Sequence, residues 1–319
     1  MNHASFSSRD KSIDLAKGVG ILLVVLFHTS FQYTSHCREF VYSFHMPLFF
    51  YLSGIVYNPN HYSFSSLLKK KAKTLLLPTI YFTIITFVVY YFAVDYDFND
   101  VPIVPPEALW FLPVLFLAHI IGHFFSTIPN RGKKMLIVAL LLLSFYTLRI
   151  PYQPFSILSV PAASFFLCIG NLKYMLYKRI GIKTAMVILL IYCVLIKLLK
   201  VRIEMYDNTF TPAFWAFLMS VIGIIMVMSL CSNAAKVELC ESSVRKFLIW
   251  FGRNSLAIVC VHPIFIRLSQ YYIKPSICNR YAYTLAELAV TLSLTVLFVV
   301  IINNYVPFLI GKKYAIKNN

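Results

Sequence analysis

Long apolar stretches alternate along the chain with short segments that are charged or rich in turn-forming residues. The apolar windows lie near 13–33, 40–57, 75–94, 109–126, 134–148, 154–172, 184–199, 212–231, 250–273 and 284–310. A helix needs about 20 predominantly apolar residues to cross a bilayer, and most of these windows approach or pass that length. The pattern predicts an all-α, polytopic membrane protein with about ten transmembrane helices, occupying residues 1–319 as a single domain. At roughly 20 residues per crossing, about 120 residues remain for the two ends and the connections, too few for a separate soluble domain. The window at 134–148 is short, and 154–172 carries Pro154 and Pro161, which predicts a kinked or partly re-entrant segment there.

Composition supports the same class: 59% of residues are hydrophobic, 13% are charged, and the mean hydropathy is +0.74. The 29 Lys and Arg against 12 Asp and Glu leave a net charge of +17. On a soluble chain that excess would point to nucleic acid. Here it points to the anionic inner leaflet, and no nucleic-acid partner is expected. With the N-terminus placed in the cytoplasm, the basic segments 69–73, 131–134, 173–183, 245–253 and 312–317 all fall inside. The inner side then carries the whole +17 and the outer side balances to zero. The asymmetry predicts a multi-pass protein of the cell's inner, plasma membrane with both termini cytoplasmic. The polar first residues run into the first window without a small-residue cleavage site, which predicts an uncleaved signal anchor. The seven cysteines contain no C-x-x-C pair, so neither a thiolate metal cluster nor a redox motif is expected. Cys37 and Cys278 both fall in predicted outer loops, where a disulfide and two free thiols are both open. No internal repeat is evident.

Ionisable residues inside the windows are the informative ones, because each is costly in hydrocarbon unless paired, hydrated or facing a cavity. Asp14, Lys17 and His28 all lie in IDLAKGVGILLVVLFH. Lys17 and His28 are about three turns and about 16 Å apart on one helical face, with Lys17 toward the cytoplasm and His28 toward the outer leaflet. A snorkelling lysine and an interfacial histidine would give the same pattern. In FHMPLFFYLSG, His45 enters from the outer side at a depth similar to His28, with Pro47 loosening the helix beside it. Two imidazoles can act as base and acid, relay protons or bind a metal. A metal would need a third ligand from His119 or His262, and none is expected. KKKAK at 69–73 is a topology signal and lipid contact, or a cluster suited to a phosphorylated ligand. In WFGRNSLAIVCVHPIF, Arg253 and Asn254 stand at the inner edge and His262 lies two to three turns deeper. These features alone fit a transporter as well as an enzyme.

Taken together, IDLAKGVGILLVVLFH, FHMPLFFYLSG, KKKAKTLLLP, ALWFLPVLF and FGRNSLAIVCVHPI, in this order, resemble the acyltransferase 3 family of integral membrane sugar O-acyltransferases, and within it the fucose 4-O-acetylase-like branch. The likeness covers about residues 9–310. It departs from the family where Lys70 and Lys73 replace the commoner arginines, since lysine lacks the planar fork for bidentate phosphate recognition. The resemblance implies transfer of an acyl group, most often acetyl, from cytosolic acyl-CoA (acetyl-CoA) to a sugar hydroxyl of a surface polysaccharide or its lipid-linked precursor. It assigns His28 and His45 to catalysis, and Lys17, Asp14, Lys70, Lys73, Asn254 and His262 to the donor. Trp110 becomes a candidate sugar platform, an interfacial aromatic anchor being the other reading. Asp95, Asp97, Asp100 and Glu107 form an acidic outer loop that would favour a neutral or cationic acceptor if it does more than hold water. The main rival is a flippase or exporter of a glycan or lipid intermediate.

Overall fold

The computed structural model describes residues 10–34, 37–59, 63–94, 107–150, 154–236 and 243–313. The acidic positions Asp95, Asp97 and Asp100 lie outside the described residues. Helix α1 (Lys11–His28) is followed by α2 (Arg38–Tyr42), α3 (His45–Val56) and α4 (Phe64–Ala93), the last a long helix with a π turn at Ala72–Leu76. Helices α5 (Phe111–Thr127), α6 (Asn130–Thr147), α7 (Val160–Asn171) and α8 (Ile182–Leu198) lead into an antiparallel hairpin of β1 (Arg202–Glu204) and β2 (Thr209–Thr211). The chain continues through α9 (Ala213–Lys236), α10 (Ser243–Arg253), α11 (Ser255–Tyr272) and α12 (Arg280–Tyr305).

Among the described residues, four helical stretches are long and apolar enough to cross a membrane: Phe64–Ala93, Ala108–Thr127, Ala213–Lys236 and Arg280–Tyr305. A fifth is added if the bent pair α10 and α11 counts as one span. Length and composition therefore carry four or five crossings, where the windows predict about ten. The difference has local causes. The window at 40–57 breaks at Ser43 and Phe44, leaving α3 with 12 residues, about 18 Å of helix. The window at 154–172 begins with a 3₁₀ turn at Pro154–Ser159, in which Phe155 and Ser156 have positive φ, and leaves α7 with 12 residues as well. The window at 250–273 bends by 88° at Asn254, so that Trp250–Arg253 belong to the preceding amphipathic helix.

The two short helices lie in the interior, and of the long ones α4 and α12 are the most exposed. Most of α3 and α7 is buried, whereas α4 and α12 turn Ile80, Ile84, Val88, Leu285, Leu297 and Val300 outward. An apolar exterior around a more polar interior is the arrangement expected when lipid is the solvent. Glu287 follows this pattern. It lies fully buried in α12, accepting from the Ser30 N–H at 2.8 Å and the Gln270 amide at 3.2 Å. Cys37 and Cys278 are both free and exposed.

Two helix crossings are so close that only glycine fits. A Cβ on Gly18 of α1 would lie 1.9 Å from the Leu248 carbonyl oxygen, and one on Gly252 of α10 would lie 1.9 Å from that of Asp14. The α3–α7 crossing repeats the device, with Gly54 against Leu167 and Gly170 against Tyr51, at 2.0 and 2.1 Å. Small residues that let backbones touch hold membrane helices together where no hydrophobic force between them is available. The first crossing also fixes the neighbourhood of Asp14 and Lys17.

Candidate active site

Helix α1 is the element on which the site is built. Near its start Asp14 is buried and accepts from Arg253 Nε at 3.1 Å, a pairing made possible by the Gly18–Gly252 contact one turn away. Lys17, half-buried, lines a cavity of about 170 Å³ together with Ser53, Thr74 and Ser255. At the other end of α1, His28 and His45 line a second cavity of about 130 Å³. Phe49, Phe111 and Val259 contribute to the walls of both.

The hydrogen bonds around the histidines fix their tautomers. His262 Nδ1 is 2.7 Å from the Ile258 carbonyl, which can only accept, so that nitrogen carries a proton. In the neutral ring Nε2 is then an acceptor, and it sits 3.2 Å from His28 Nδ1. His28 Nδ1 is thereby assigned as the donor, leaving His28 Nε2 with a free lone pair. His45 is held in the same way: its Nδ1 donates to the Val41 carbonyl at 2.9 Å, its ring stacks on Tyr42 at 4.9 Å, and its Nε2 is the basic nitrogen. Backbone carbonyls one turn back along α11 and α2 thus orient His262 and His45, and His262 in turn orients His28.

His262, assigned by resemblance to the donor, lies against His28. Asn254 stands at the α10–α11 bend, where its side chain donates to the Trp250 carbonyl and accepts from Asn303 Nδ2, each at 2.9 Å. Lys70 precedes the π turn and Lys73 lies within it, both exposed. Trp110 is buried and lines the His28 cavity, edge-to-face with Tyr206 at 6.1 Å.

Two features escaped the sequence. Lys71 turns inward from the basic run and its ammonium donates to His119 Nε2 at 2.8 Å. A signal was present: Lys71 falls four residues from both Leu67 and Leu75, which are buried on the same helix. The second is the hairpin, which places Glu204, Tyr206 and Asp207 on the mouth of the His28 cavity. Glu204 pairs with Arg38 at 2.9 Å and Arg202 at 3.0 Å. Burial raises the Asp207 carboxyl above its ordinary value, with Glu204 adding to the shift and Arg202 opposing it. Side chains from the segment before α7 pin the hairpin: Ser156 Oγ donates to the Tyr206 carbonyl at 3.0 Å, and Ser159 Oγ to that of Met205.

A family model described as an acyltransferase domain matches residues 10–304 of the chain. The chain belongs to the acyltransferase 3 family. No curated protein and no solved structure matches it. Family membership and the apolar helices make the protein a membrane acyltransferase. The match spans the elements of both cavities, from Asp14 at the start of α1 to Asn303 near the end of α12.

Proposed function

We propose that the protein is a transmembrane O-acyltransferase that moves an acyl group, acetyl in the first instance, from cytosolic acyl-CoA to a sugar hydroxyl of a surface polysaccharide or a lipid-linked glycan precursor. The observation that carries this reading is the division of α1: Lys17 opens into one cavity and His28 into another, with a common wall between them. A phosphorylated, thioester-bearing donor suits the end with Lys17, near which Lys70, Lys71 and Lys73 cluster. A polyhydroxylated acceptor suits the other end, where Trp110 and Tyr206 offer aromatic faces and Glu204 and Asp207 offer hydroxyl-accepting oxygens.

In the step we infer, the acceptor hydroxyl gives its proton to His28 Nε2 as its oxygen attacks the thioester carbonyl. The C–S bond breaks, the proton passes from His28 to the departing sulfur, and the products are the ester and free CoA. Protonated His28 keeps its Nδ1–H on His262 Nε2, so the developing positive charge meets a fixed acceptor. His45 supplies a second base facing the same cavity. Asp14 with Arg253 positions the start of α1, and Asn254 holds the bend that brings Ser255 to the donor cavity.

The charge asymmetry supports a plasma-membrane orientation with both termini cytoplasmic and about ten passages of the chain, the short buried helices α3 and α7 being shielded by their neighbours rather than by length. The fucose 4-O-acetylase-like segments favour a deoxysugar or related acceptor. A flippase is the weaker reading, since among the described residues Lys17 and His28 line separate cavities.

The test is transfer from radiolabelled acetyl-CoA supplied only to the cytoplasmic face of oriented vesicles. Label in the glycan fraction with the wild type and not with His28→Ala is the expected result. Equal labelling by the two would remove His28 from the chemistry. No labelling by either, together with no thermal stabilisation by acetyl-CoA, would contradict the donor assignment.

A further inference from the structure

The wall between the cavities is built from few side chains. Phe49 and Phe111 meet edge-to-face, with ring centroids 6.0 Å apart, and Phe50 backs Phe111 at 4.9 Å. Val259 closes the third side from α11. Both rings are almost fully buried, and both line the two cavities. Helix α1 makes room for them. A Cβ on Gly20, which lies between Lys17 and His28 in sequence, would come within 3.1 to 3.2 Å of the edge of the Phe49 ring. The wall therefore stands beside the stretch of α1 that separates the lysine from the histidine.

Lys17 lines only one cavity and His28 only the other. A thioester anchored at the Lys17 end has to cross the wall of Phe49, Phe111 and Val259 before its carbonyl comes within reach of His28 Nε2. An aromatic ring turning about its side-chain bonds opens a slit, whereas displacing the backbone beside it would disturb a close-packed interior. A slit admits a thin, short group readily. A longer acyl chain keeps the rings apart along its length and must find apolar space beyond them. Beyond them lies a cavity of about 130 Å³ that already has to receive the acceptor.

We propose that Phe49 and Phe111 form an acyl-length selector, which passes two-carbon donors to His28 and holds back longer ones, and which also keeps water of the donor cavity away from the acceptor side. The proposal rests on the acyl-CoA reading above and names the donor class within it: short, unbranched acyl thioesters. The chemistry is unchanged, with the ester C–O bond formed and the thioester C–S bond broken as before.

The experiment measures release of free CoA thiol by the purified full-length protein in detergent, with acetyl-, butyryl- and octanoyl-CoA as donors and methyl α-L-fucopyranoside as the acceptor probe. Thermal stabilisation by unacylated CoA is followed in parallel, because it reports the donor anchor without the wall. Wild type is expected to prefer acetyl to butyryl. Phe111→Ala is expected to raise the butyryl-to-acetyl ratio by at least about tenfold, with the variant still stabilised by CoA. Phe49→Leu and Phe111→Leu, which keep more of the packing, should move the ratio the same way by a smaller factor, and they carry the test if the alanine variant does not fold. An unchanged ratio in variants that still turn over acetyl-CoA overturns the selector and leaves the acyl-CoA reading standing. Absence of both turnover and CoA stabilisation in the wild type overturns that reading, and the selector with it.

Discussion

The two ends of α1 solve the problem of a polar group in a membrane protein in opposite ways. At the Lys17 end the polar groups are acidic and basic side chains: Asp14 is paired with Arg253 across a glycine crossing, and four further lysines, Lys69, Lys70, Lys71 and Lys73, lie in the sequence of α4. At the His28 end the groups are neutral imidazoles, and two of the three are oriented by backbone carbonyls rather than by carboxylates. Charge is suited to holding an anionic ligand, because its reach is long and it tolerates imprecise geometry. A neutral base with a fixed lone pair is suited to moving one proton, for which geometry decides. One helix of 18 residues thus separates the two kinds of group by about 16 Å.

Substitutions at the two ends should separate accordingly. The largest effect is expected for His28→Ala, which should lower acyl transfer by about 10²- to 10⁴-fold. Its melting temperature and its stabilisation by acetyl-CoA should stay close to wild type, as thermal unfolding in detergent will show. Gly18→Val should act on both ends at once. The new side chain would drive into the Leu248 carbonyl and destabilise the protein by about 3 kcal/mol or more, read as a collapse in the yield of folded, detergent-extractable protein. His262→Gln should lower kcat by about tenfold to a hundredfold, the scale of one lost hydrogen-bond partner to a charged group, with KM for acetyl-CoA unchanged in steady-state assays. Lys17→Ala should do the reverse, raising KM for acetyl-CoA by about tenfold with a smaller change in single-turnover rate. A fall in single-turnover rate as deep as that of His28→Ala would erase the distinction between the ends.

The smallest effect belongs to the hairpin. Because burial holds the Asp207 carboxyl above its ordinary value, wild type loses stability as pH rises from the unfolded value of 3.8 through the raised folded one. Asp207→Asn should therefore match wild type below about pH 3.8 and equal or slightly exceed it near neutrality, solvent screening at this exposed position keeping the difference small, in melting curves taken across pH. Its use of a sugar acceptor should nonetheless weaken, which would separate a recognition role from a structural one.

Much of this division can be read from the sequence, because it rests on spacing within one helix. Asp14, Lys17 and His28 sit in a single apolar run, and the 3.6-residue period puts Lys17 and His28 on one face. Partners contributed by distant segments are less accessible. The sequence brings His45 to the depth of His28, and the two do line one cavity, yet the direct hydrogen bond of His28 is to His262, 234 positions away. Nothing in WFGRNSLAIVCVHPIF announces that Asn254 breaks the helix by 88°, since its asparagine could equally have stayed on a continuous helical face. The hairpin was hidden for a different reason. Its alternation is carried by three-residue strands between two apolar windows, too short to register as a period, and it is placed by hydrogen bonds from Ser156 and Ser159 rather than by its own pattern. Length was the misleading signal in α3 and α7, where apolar residues that face protein on all sides read as apolar residues that face lipid.

The central claim is that donor binding and proton transfer occupy opposite ends of α1. The most direct test compares His28→Ala with wild type in two measurements on the same purified protein: stabilisation by acetyl-CoA, and single-turnover release of its thiol. The account predicts unchanged stabilisation with release slowed by about 10²-fold or more. Loss of both together, or of neither, would contradict it.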